Sequence, residues 1–343
     1  MRFEPPVDHT RLIATVRTVY GLPVDELTFI PVGVPSVCYA ASCEGGVRYF
    51  LKLWPATRVG RAAAARRDVA LPLTRALYER GLFTRLPSPL TTRAGRLWAT
   101  FDGASFAIFP FLTGHTPPAP WPSELWDELA NTMATLHVAT PALADVLPPR
   151  ETFRIAFERD LLRGMARIAQ IGRRDRPGLR ALRNLVEPRY AEIGSQLARL
   201  HAFQDVVRRL PSPFVVCHTD MGGDNVLVDS GGQLFVLDWD DVILAPPEHD
   251  LHEARGGDVA HFLKHYAEAG GMQPLYLDQF AFYLLRRSPH DLTVRLLRIL
   301  EENTSTKQDD KALVGIEAWG FAQWAVLDST LTHIATALSL LHS

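Results

Sequence analysis

Alternating apolar and polar residues near the start of the chain predict a small β-sheet. The alternation predicts strands over residues 27–31, 37–43 and 47–53. The Gly45-Gly46 pair lies between the second and third of these and predicts a tight turn there. The chain therefore begins with an antiparallel sheet.

Helical periodicity follows the third strand. It predicts a helix over residues 61–80 that ends at Gly81 and is kinked or restarted near Pro72, because proline removes one bond of the helix. Two further strands, over residues 96–101 and 106–109, are predicted to complete the sheet.

From Trp121 onward the apolar positions follow the period of an α-helix. Helices are predicted over residues 123–137, 151–170, 178–203 (broken at Pro188) and 259–269. The apolar stretch 316–341 is interrupted by charged residues, which favours a packed helix over a membrane span. The predicted class is α+β, with a small sheet lobe and a larger helical lobe.

A second β-hairpin carries the main candidate chemistry. Two short apolar runs, Val226–Val228 and Leu234–Leu237, flank a turn that contains Gly231-Gly232. If this turn is centred on the two glycines, Asn225 faces Asp238 at the open end of the hairpin. Two oxygen donors there are suitable ligands for Mg²⁺ beside nucleotide phosphates.

The residues just before this hairpin match a phosphoryl-transfer pattern. His218 and Asp220 precede Asn225, and the five-residue interval from Asp220 to Asn225 is that of a kinase catalytic loop. A zinc site built on His218, Asp220 and Cys217 is an alternative, but the spacing lacks the usual zinc-binding frame. An acidic loop of no catalytic role is the other alternative.

Composition narrows the function classes. At 343 residues the chain is long enough for two lobes, and its net charge of −2 gives no support to nucleic-acid or membrane binding. Three cysteines form neither an even framework nor a metal motif, and the N-terminus has no apolar signal core, so a cytoplasmic protein is expected. Lys52 is the only lysine before Lys264, which suggests a specific task for it, such as donating to nucleotide phosphates.

These residues resemble the aminoglycoside phosphotransferase family of protein-kinase-like, small-molecule kinases. The resemblance rests on His218-x-Asp220-x4-Asn225 followed by Val236-Leu237-Asp238-Trp239. The surrounding segments, CHTDMGGDNVLV and LDWDDVILAPPEHDL, are most similar to the spectinomycin phosphotransferase branch.

The resemblance implies a two-lobed kinase-like fold, with a nucleotide-binding lobe over residues 1–112 and a helical lobe over residues 113–343. It implies ATP and Mg²⁺ as cofactors, Asp220 as the catalytic carboxylate and His218 as its orienting neighbour. Asn225 and Asp238 are then the metal ligands. The expected nucleotide contacts are Lys52, its helix partner Asp68, the covering-loop residues Gly33 and Ser36, and the hinge residues Pro110 and Leu112.

The expected acceptor is a cationic aminoglycoside or aminocyclitol antibiotic, whose phosphorylation would confer resistance. Ten acids against one basic residue between Asp220 and Asp258 predict a negative surface that favours such a substrate. Candidate substrate contacts are Asp224, Asp240, Asp241 and Asp291, although Asp291 could equally be a helix N-cap after Pro289. No nucleic-acid or membrane partner is expected, and the oligomeric state is open.

Two other functions fit parts of the sequence. A metabolic kinase of the same superfamily, acting on choline, homoserine, a methylthio-sugar or a fructosamine, would share the catalytic motif. A protein that transfers no phosphoryl group, either a pseudokinase or a nucleotidyl transferase, is the other alternative. Intact Lys52, Asp220, Asn225 and Asp238 speak against a pseudokinase.

Overall fold

The computed structural model describes residues 4–33 and 36–341. After one N-terminal helix, the chain forms a five-stranded antiparallel sheet in the order β1-β2-β3-β5-β4. Its strands are β1 (Val24–Ile30), β2 (Val37–Cys43), β3 (Arg48–Trp54), β4 (Ala99–Phe101) and β5 (Ala104–Pro110). The strand positions agree with the alternation in the sequence.

Each face of this sheet is covered by one helix. Helix α1 (His9–Tyr20) packs on the face that holds Leu51 and Leu53 of β3, and α2 (Arg58–Glu79) packs on the face of Trp54. Successive residues of a strand point to opposite faces, so Lys52 shares the α2 face with Trp54. The sheet thereby places one ammonium beneath α2.

Two features of these helices differ from the prediction. Helix α1 was not predicted, although Asp8 accepts from the Arg11 N–H at its start and left-handed Gly21 ends it. Helix α2 continues through Pro72, so the predicted restart is wrong, while a kink there stays a prediction. Leu71 and Leu73 are buried and hold the helix in register on both sides of the proline.

Helix α3 (Ser123–Val138) follows the sheet. Two antiparallel strand pairs come later in the chain: β6 (Val215–Cys217) with β9 (Ile243–Ala245), and β7 (Val226–Val228) with β8 (Leu234–Val236). The β7–β8 pair is the hairpin that the sequence predicts.

The remaining elements are helical. They are α4 (Glu158–Ile168), α5 (Pro177–Val186), α6 (Tyr190–Val207), α7 (Glu248–Leu251), α8 (Val259–Glu268), α9 (Leu277–Leu297), α10 (Thr306–Gly315) and α11 (Ala322–Leu341). The predicted break at Pro188 separates α5 from α6. The helix predicted from residue 151 begins only at Glu158, because Glu151 accepts the N–H groups of Thr152 and Phe153 and holds that segment non-helical.

Among the described residues, Thr306–Leu341 is the one helical stretch whose length and hydropathy would suit a membrane span. Of its most apolar 18-residue segment, 33% is buried inside the protein. Ile316, Phe321, Trp324 and Leu327 of this stretch belong to a buried apolar cluster that also contains Leu292 and Leu296 of α9. This part of the stretch is packed against α9, as predicted.

By its internal contacts the chain forms two compact units. The first unit holds the chain up to Arg150 together with Val215–Ala245 and Glu268–Gly271. The second unit holds Glu151–Phe214, Pro246–Ala267 and the chain from Met272 onward. The lobe boundary expected at residue 112 stays a prediction.

The second unit contains a buried acid, Glu248, at the start of α7. One of its carboxyl oxygens accepts the Tyr276 N–H at 2.7 Å, and the other is buried with no hydrogen-bond partner among the described residues. Burial raises the pKa of Glu248 from 4.5 to about 8, so the folded protein holds this carboxyl protonated at neutral pH.

We expect Glu248→Gln to change how stability depends on pH. Between pH 4.5 and 8 the unfolded chain releases this proton and the folded chain keeps it, so rising pH favours unfolding. Glutamine keeps the acceptor oxygen and cannot ionise. The variant should match the wild type below pH 4.5 and exceed its unfolding free energy at pH 8, on the order of 1.4 kcal/mol per unit of pKa shift.

Urea unfolding of both proteins at several pH values measures this gap. The buried histidines His249 and His252 have lowered pKa values and affect both proteins alike, so the difference isolates Glu248. Glu44→Gln, at an exposed glutamate, is the control. A constant gap across this pH range would show that Glu248 is ionised in the folded protein.

Candidate active site

The register of the β7–β8 hairpin sets the positions of the candidate metal ligands. Val226 pairs with Val236, so Asn225 lies opposite Leu237, and the Leu237 N–H donates to the Asn225 carbonyl at 2.8 Å. The prediction that Asn225 faces Asp238 is therefore wrong by one residue. The Asp229 carboxylate accepts the N–H groups of Gly231 and Gln233 and centres the loop on Gly231.

The ammonium of Lys52 is the cation of the site. It lies 2.7 Å from Oδ1 of Asp238 and 2.9 Å from Oδ2 of Asp240. Only 8% of Lys52 is exposed, so the charge is largely removed from water and needs these anions. The strand lysine and the carboxylate after β8, predicted separately, are thus brought together.

The charges of this cluster stabilise one another. Burial opposes the ammonium form of Lys52, but the carboxylates of Asp240 and Asp238 raise its pKa above the ordinary lysine value. Burial also opposes the carboxylate form of Asp238, yet the Lys52 ammonium outweighs it and lowers the pKa of Asp238. Near neutral pH, Lys52 and Asp238 are both charged.

His218 is a buried connector. Its Nε2 donates to the Leu237 carbonyl at 2.9 Å, and its Nδ1 accepts the Asp220 N–H at 3.3 Å. The edge of its ring packs against Trp239, with 4.9 Å between the centroids. The residue links the Asp220 loop to the segment after β8, which is the geometry of an orienting residue.

Asp220 and Asn225 are held together by the loop between them. The side-chain nitrogen of Asn225 donates to Oδ2 of Asp220 at 2.8 Å and to the Asp220 carbonyl at 3.0 Å. The Asn225 side-chain oxygen accepts no hydrogen bond among the described residues, so it remains available as a donor to a cation. The five-residue spacing thus places a carboxylate and an amide side by side.

Two site residues have a left-handed backbone. Thr219 has φ 77° and Asp238 has φ 59°, values that residues other than glycine rarely adopt. For the β-branched Thr219 this conformation is strained. Such strain is typical of functional loops, where the surrounding contacts hold a side chain in a required direction.

Asp68 does not occupy its expected position. Its side chain is 57% exposed and lies 3.4 Å from the guanidinium of Arg67. Among the described residues, Lys52 has ion pairs with Asp238 and Asp240 but none with Asp68. Arg67 itself is buried over the Trp98 ring and donates to Ser105, so the basic residue of this pair is the one that turns inward.

The predicted covering loop is described in part. Val34 and Pro35 lie outside the described residues. Gly33 has φ 70°, and a side chain there would approach the Ser36 hydroxyl to 3.0 Å, so this position favours glycine. Ser36, directly before β2, is buried. Whether this loop contacts phosphates stays a prediction.

The predicted hinge follows β5. Pro110 is the last residue of this strand, opposite Tyr49. The backbone N–H and C=O of Leu112 make no hydrogen bond among the described residues, so both are available to a ligand. The following segment pairs with β7 through His115 and Val228, and Gly114 permits this approach, since a side chain there would meet the Val228 carbonyl at 2.5 Å.

Sequence comparison decides the family. A sequence model of the phosphotransferase enzyme family (APH) matches residues 26–286, which include Lys52 and the whole segment from His218 to Asp241. The chain belongs to this family. It is a phosphotransferase, and the resemblance inferred from the motif is confirmed. No curated protein sequence matches the chain.

Solved structures of phosphotransferases share its fold. Spectinomycin phosphotransferase, APH(9)-Ia, in complex with ADP and spectinomycin, has a TM-score of 0.75 at 19% identity, over 91% of this chain and 94% of that chain. Amicoumacin kinase in complex with AMP-PNP and Ca²⁺ has a TM-score of 0.61 at 15% identity, over 91% and 92%. Choline kinase from Cryptosporidium parvum Iowa II has a TM-score of 0.61 at 13% identity, over 96% and 99%. The kinase-like fold is therefore confirmed.

The candidate substrate contacts of this phosphotransferase lie in different environments. Asp224 is exposed in the turn before β7, and Asp241 pairs with Arg66 of α2 at 2.5 Å. Asp291 lies inside α9, in the second unit, so the alternative that it is an N-cap is wrong. The helix continues through Pro289, which is buried with Leu292. Their roles in substrate binding stay predictions.

Ion pairs reduce the negative charge that the sequence suggested. Among the described residues, at least four of the ten acids between residues 220 and 258 are paired with basic side chains: Asp238, Asp240, Asp241 and Glu253. Another, Glu248, is held protonated by burial, which raises its pKa. The electrostatic argument for a cationic acceptor is correspondingly weaker.

Sequence reasoning missed two contributors to the site. The indole N–H of Trp54 donates to Oδ2 of Asp240 at 3.4 Å, and Arg66 holds Asp241. Trp54 could have been found from strand alternation, which puts it on the face of Lys52. Arg66 is one of several arginines in α2, and nothing in the sequence distinguishes it.

We expect His218→Phe to lower both stability and phosphotransfer. Phenylalanine fills the space of the ring but leaves the Leu237 carbonyl and the Asp220 N–H without this partner, at a cost of about 1–3 kcal/mol in the free energy of unfolding. Urea unfolding and steady-state kinetics measure the two effects. His333→Phe, at an exposed position of α11, is the control. Wild-type stability and turnover in His218→Phe would show that this connection has no role.

Proposed function

We propose that this protein is an ATP-dependent O-phosphotransferase that modifies a hydroxyl group of an aminocyclitol or aminoglycoside antibiotic. The observation that carries the chemistry is the cluster of Lys52, Asp220, Asn225 and Asp238 within one compact unit. Its residues lie inside the range that matches the phosphotransferase family.

Asp220 is the residue that acts on the acceptor. Its carboxylate orients the attacking hydroxyl in line with the γ-phosphate. It accepts the hydroxyl proton as the bond to the γ-phosphorus forms, the bond from that phosphorus to the bridging oxygen breaks, and ADP leaves. Because phosphoryl transfer passes through a loose transition state, little base strength is needed, and catalysis is mainly positioning and electrostatic stabilisation. The bond from Asn225 to Oδ2 of Asp220 fixes the direction of this carboxylate.

Lys52 supplies the protein's positive charge. Strand β3 pairs on both sides, with β2 and β5, so its position is well defined. The Lys52 ammonium donates to the nucleotide phosphates, and the Leu112 backbone in the predicted hinge binds the adenine edge. These contacts would hold ATP with its terminal phosphate directed to Asp220.

The residues present suit a divalent cation. Asp238 offers a carboxylate that is 47% exposed despite its bond to Lys52, and the Asn225 side-chain oxygen is available. Oxygen donors of this kind are the ligands that Mg²⁺ prefers. When bound, Mg²⁺ would neutralise charge on the nucleotide phosphates.

The proposal of an antibiotic acceptor is supported by structural similarity to a known phosphotransferase rather than by the charge of the site. The structural similarity to spectinomycin phosphotransferase covers nearly the whole of both chains. A resistance role follows if the antibiotic is the physiological substrate. We also propose a cytoplasmic location, where ATP is supplied and where thiols such as buried Cys38, Cys43 and Cys217 stay reduced.

We expect ADP release with Mg·ATP in the presence of one aminocyclitol or aminoglycoside. A suitable panel contains spectinomycin, hygromycin, streptomycin and kanamycin, with choline and homoserine as metabolic acceptors. Turnover with an antibiotic alone supports the proposal. Turnover with a metabolite alone would show that the acceptor is a metabolite and not an antibiotic. The roles assigned to the site residues would then be unchanged.

We expect Asp220→Asn to lower kcat by about 100-fold or more, because asparagine cannot accept the hydroxyl proton. The dissociation constant for ATP should stay within about twofold, since Asp220 does not bind the nucleotide in this proposal. Asp205→Asn, at an exposed position of α6, is the matched control. Turnover retained in Asp220→Asn would contradict the proposed mechanism.

A further inference from the structure

The ion pairs of Lys52 raise the question of which acid positions it during the reaction. In the proposed function Asp238 is a metal ligand, so its oxygens are shared with a cation. A buried ammonium still needs an anionic partner. The partner must be an acid that binds Lys52 and has no other task.

The acids of α2 do not meet this requirement. Asp68 is 57% exposed and pairs with its neighbour Arg67. Glu79 lies at the end of the helix and pairs with Arg75 at 2.5 Å. Asp68 and Glu79 are the acids of this helix, and both are engaged by arginines of α2 itself.

Asp240 meets the requirement. Its side chain is 20% exposed, against 47% for Asp238, and its Oδ2 lies 2.9 Å from the Lys52 ammonium. The indole N–H of Trp54 donates to the same oxygen at 3.4 Å. Lys52 and Trp54 are two residues apart on one strand, so they present two donors to one carboxylate from the same face of the sheet.

The neighbouring residues keep Asp240 in this position. Asp238 has a left-handed backbone, and the next three residues form a short 3₁₀ turn, Trp239–Asp241. Trp239 is buried against Phe83 and donates to the Val236 carbonyl. Asp241 is held by Arg66, so it does not compete for Lys52.

We propose that Asp240 is the positioning residue for Lys52, the task that the family resemblance assigned to an acid of the helix after the strand. This inference rests on the proposed function, in which Lys52 binds the nucleotide phosphates. An ammonium has three N–H donors. One N–H can remain on Asp240 while the others bind phosphate, so Asp240 would keep the lysine in position if Asp238 held a cation.

Paired substitutions test the proposal. Asp240→Asn removes the charge and keeps the shape, Asp240→Glu restores the charge, and Asp68→Asn removes the competing acid. We expect Asp240→Asn to lower kcat/KM for ATP by about 30-fold, with KM for the acceptor within about threefold. For Asp240→Glu, kcat/KM for ATP should recover at least about a third of that loss, measured on a logarithmic scale. For Asp68→Asn, kcat/KM for ATP should stay within about threefold of the wild-type value.

A binding measurement provides a second readout that needs no turnover. Calorimetric titration of Mg·ATP in the absence of any acceptor should show about 10-fold weaker binding for Asp240→Asn and wild-type binding for Asp68→Asn. A residue that only supports the fold would lower the melting temperature and affect ATP and acceptor alike. The preferential loss for ATP therefore identifies a positioning role.

Several results would overturn the proposal. One is wild-type ATP binding and turnover in Asp240→Asn; another is a loss in Asp68→Asn as large as that in Asp240→Asn. If Asp240→Asn does not fold by circular dichroism, Asp240→Glu and Asp68→Asn decide, and a loss in Asp68→Asn alone contradicts the proposal. Failure of the proposed function is distinguishable, because the wild type would then release no ADP with any acceptor, whereas the titration still compares the two acids.

Discussion

A single buried ammonium, that of Lys52, is the constraint on which the arrangement of the first unit depends. Strand β3 carries it into a space covered by α2, where water cannot solvate it well. Breaking a buried ion pair by removing one partner costs about 3–5 kcal/mol. The chain supplies two carboxylates from the segment after β8, and their position requires the hairpin register, the left-handed Asp238 and the turn that follows.

The same electrostatic balance links structure to the proposed chemistry. A cation fixed on a strand and two acids fixed on a loop give a site that can exchange an internal ion pair for nucleotide phosphates and a divalent cation. Asp220 and Asn225 belong to the adjoining loop and are joined to the Asp238 segment through His218. The site is thus one connected network of hydrogen bonds and ion pairs.

The sequence predicted the strands, the hairpin and the catalytic spacing, because these depend on local alternation and on residues close together in the chain. It missed contacts that depend on tertiary structure. The partner of Lys52 is 188 residues away in Asp240 rather than 16 away in Asp68, and no local pattern distinguishes the two. The hairpin register was wrong by one residue because the Asp229 side chain, and not the glycine pair, centres the turn.

The central claim is that Lys52, Asp238 and Asn225 form a nucleotide–metal site. A crystal structure of the protein with a non-hydrolysable ATP analogue and Mg²⁺ tests it most directly. The account predicts Mg²⁺ on Asp238 and on the side-chain oxygen of Asn225, with the Lys52 ammonium within hydrogen-bond distance of a phosphate oxygen. A nucleotide bound away from Lys52, or a cation held by other residues, would contradict it.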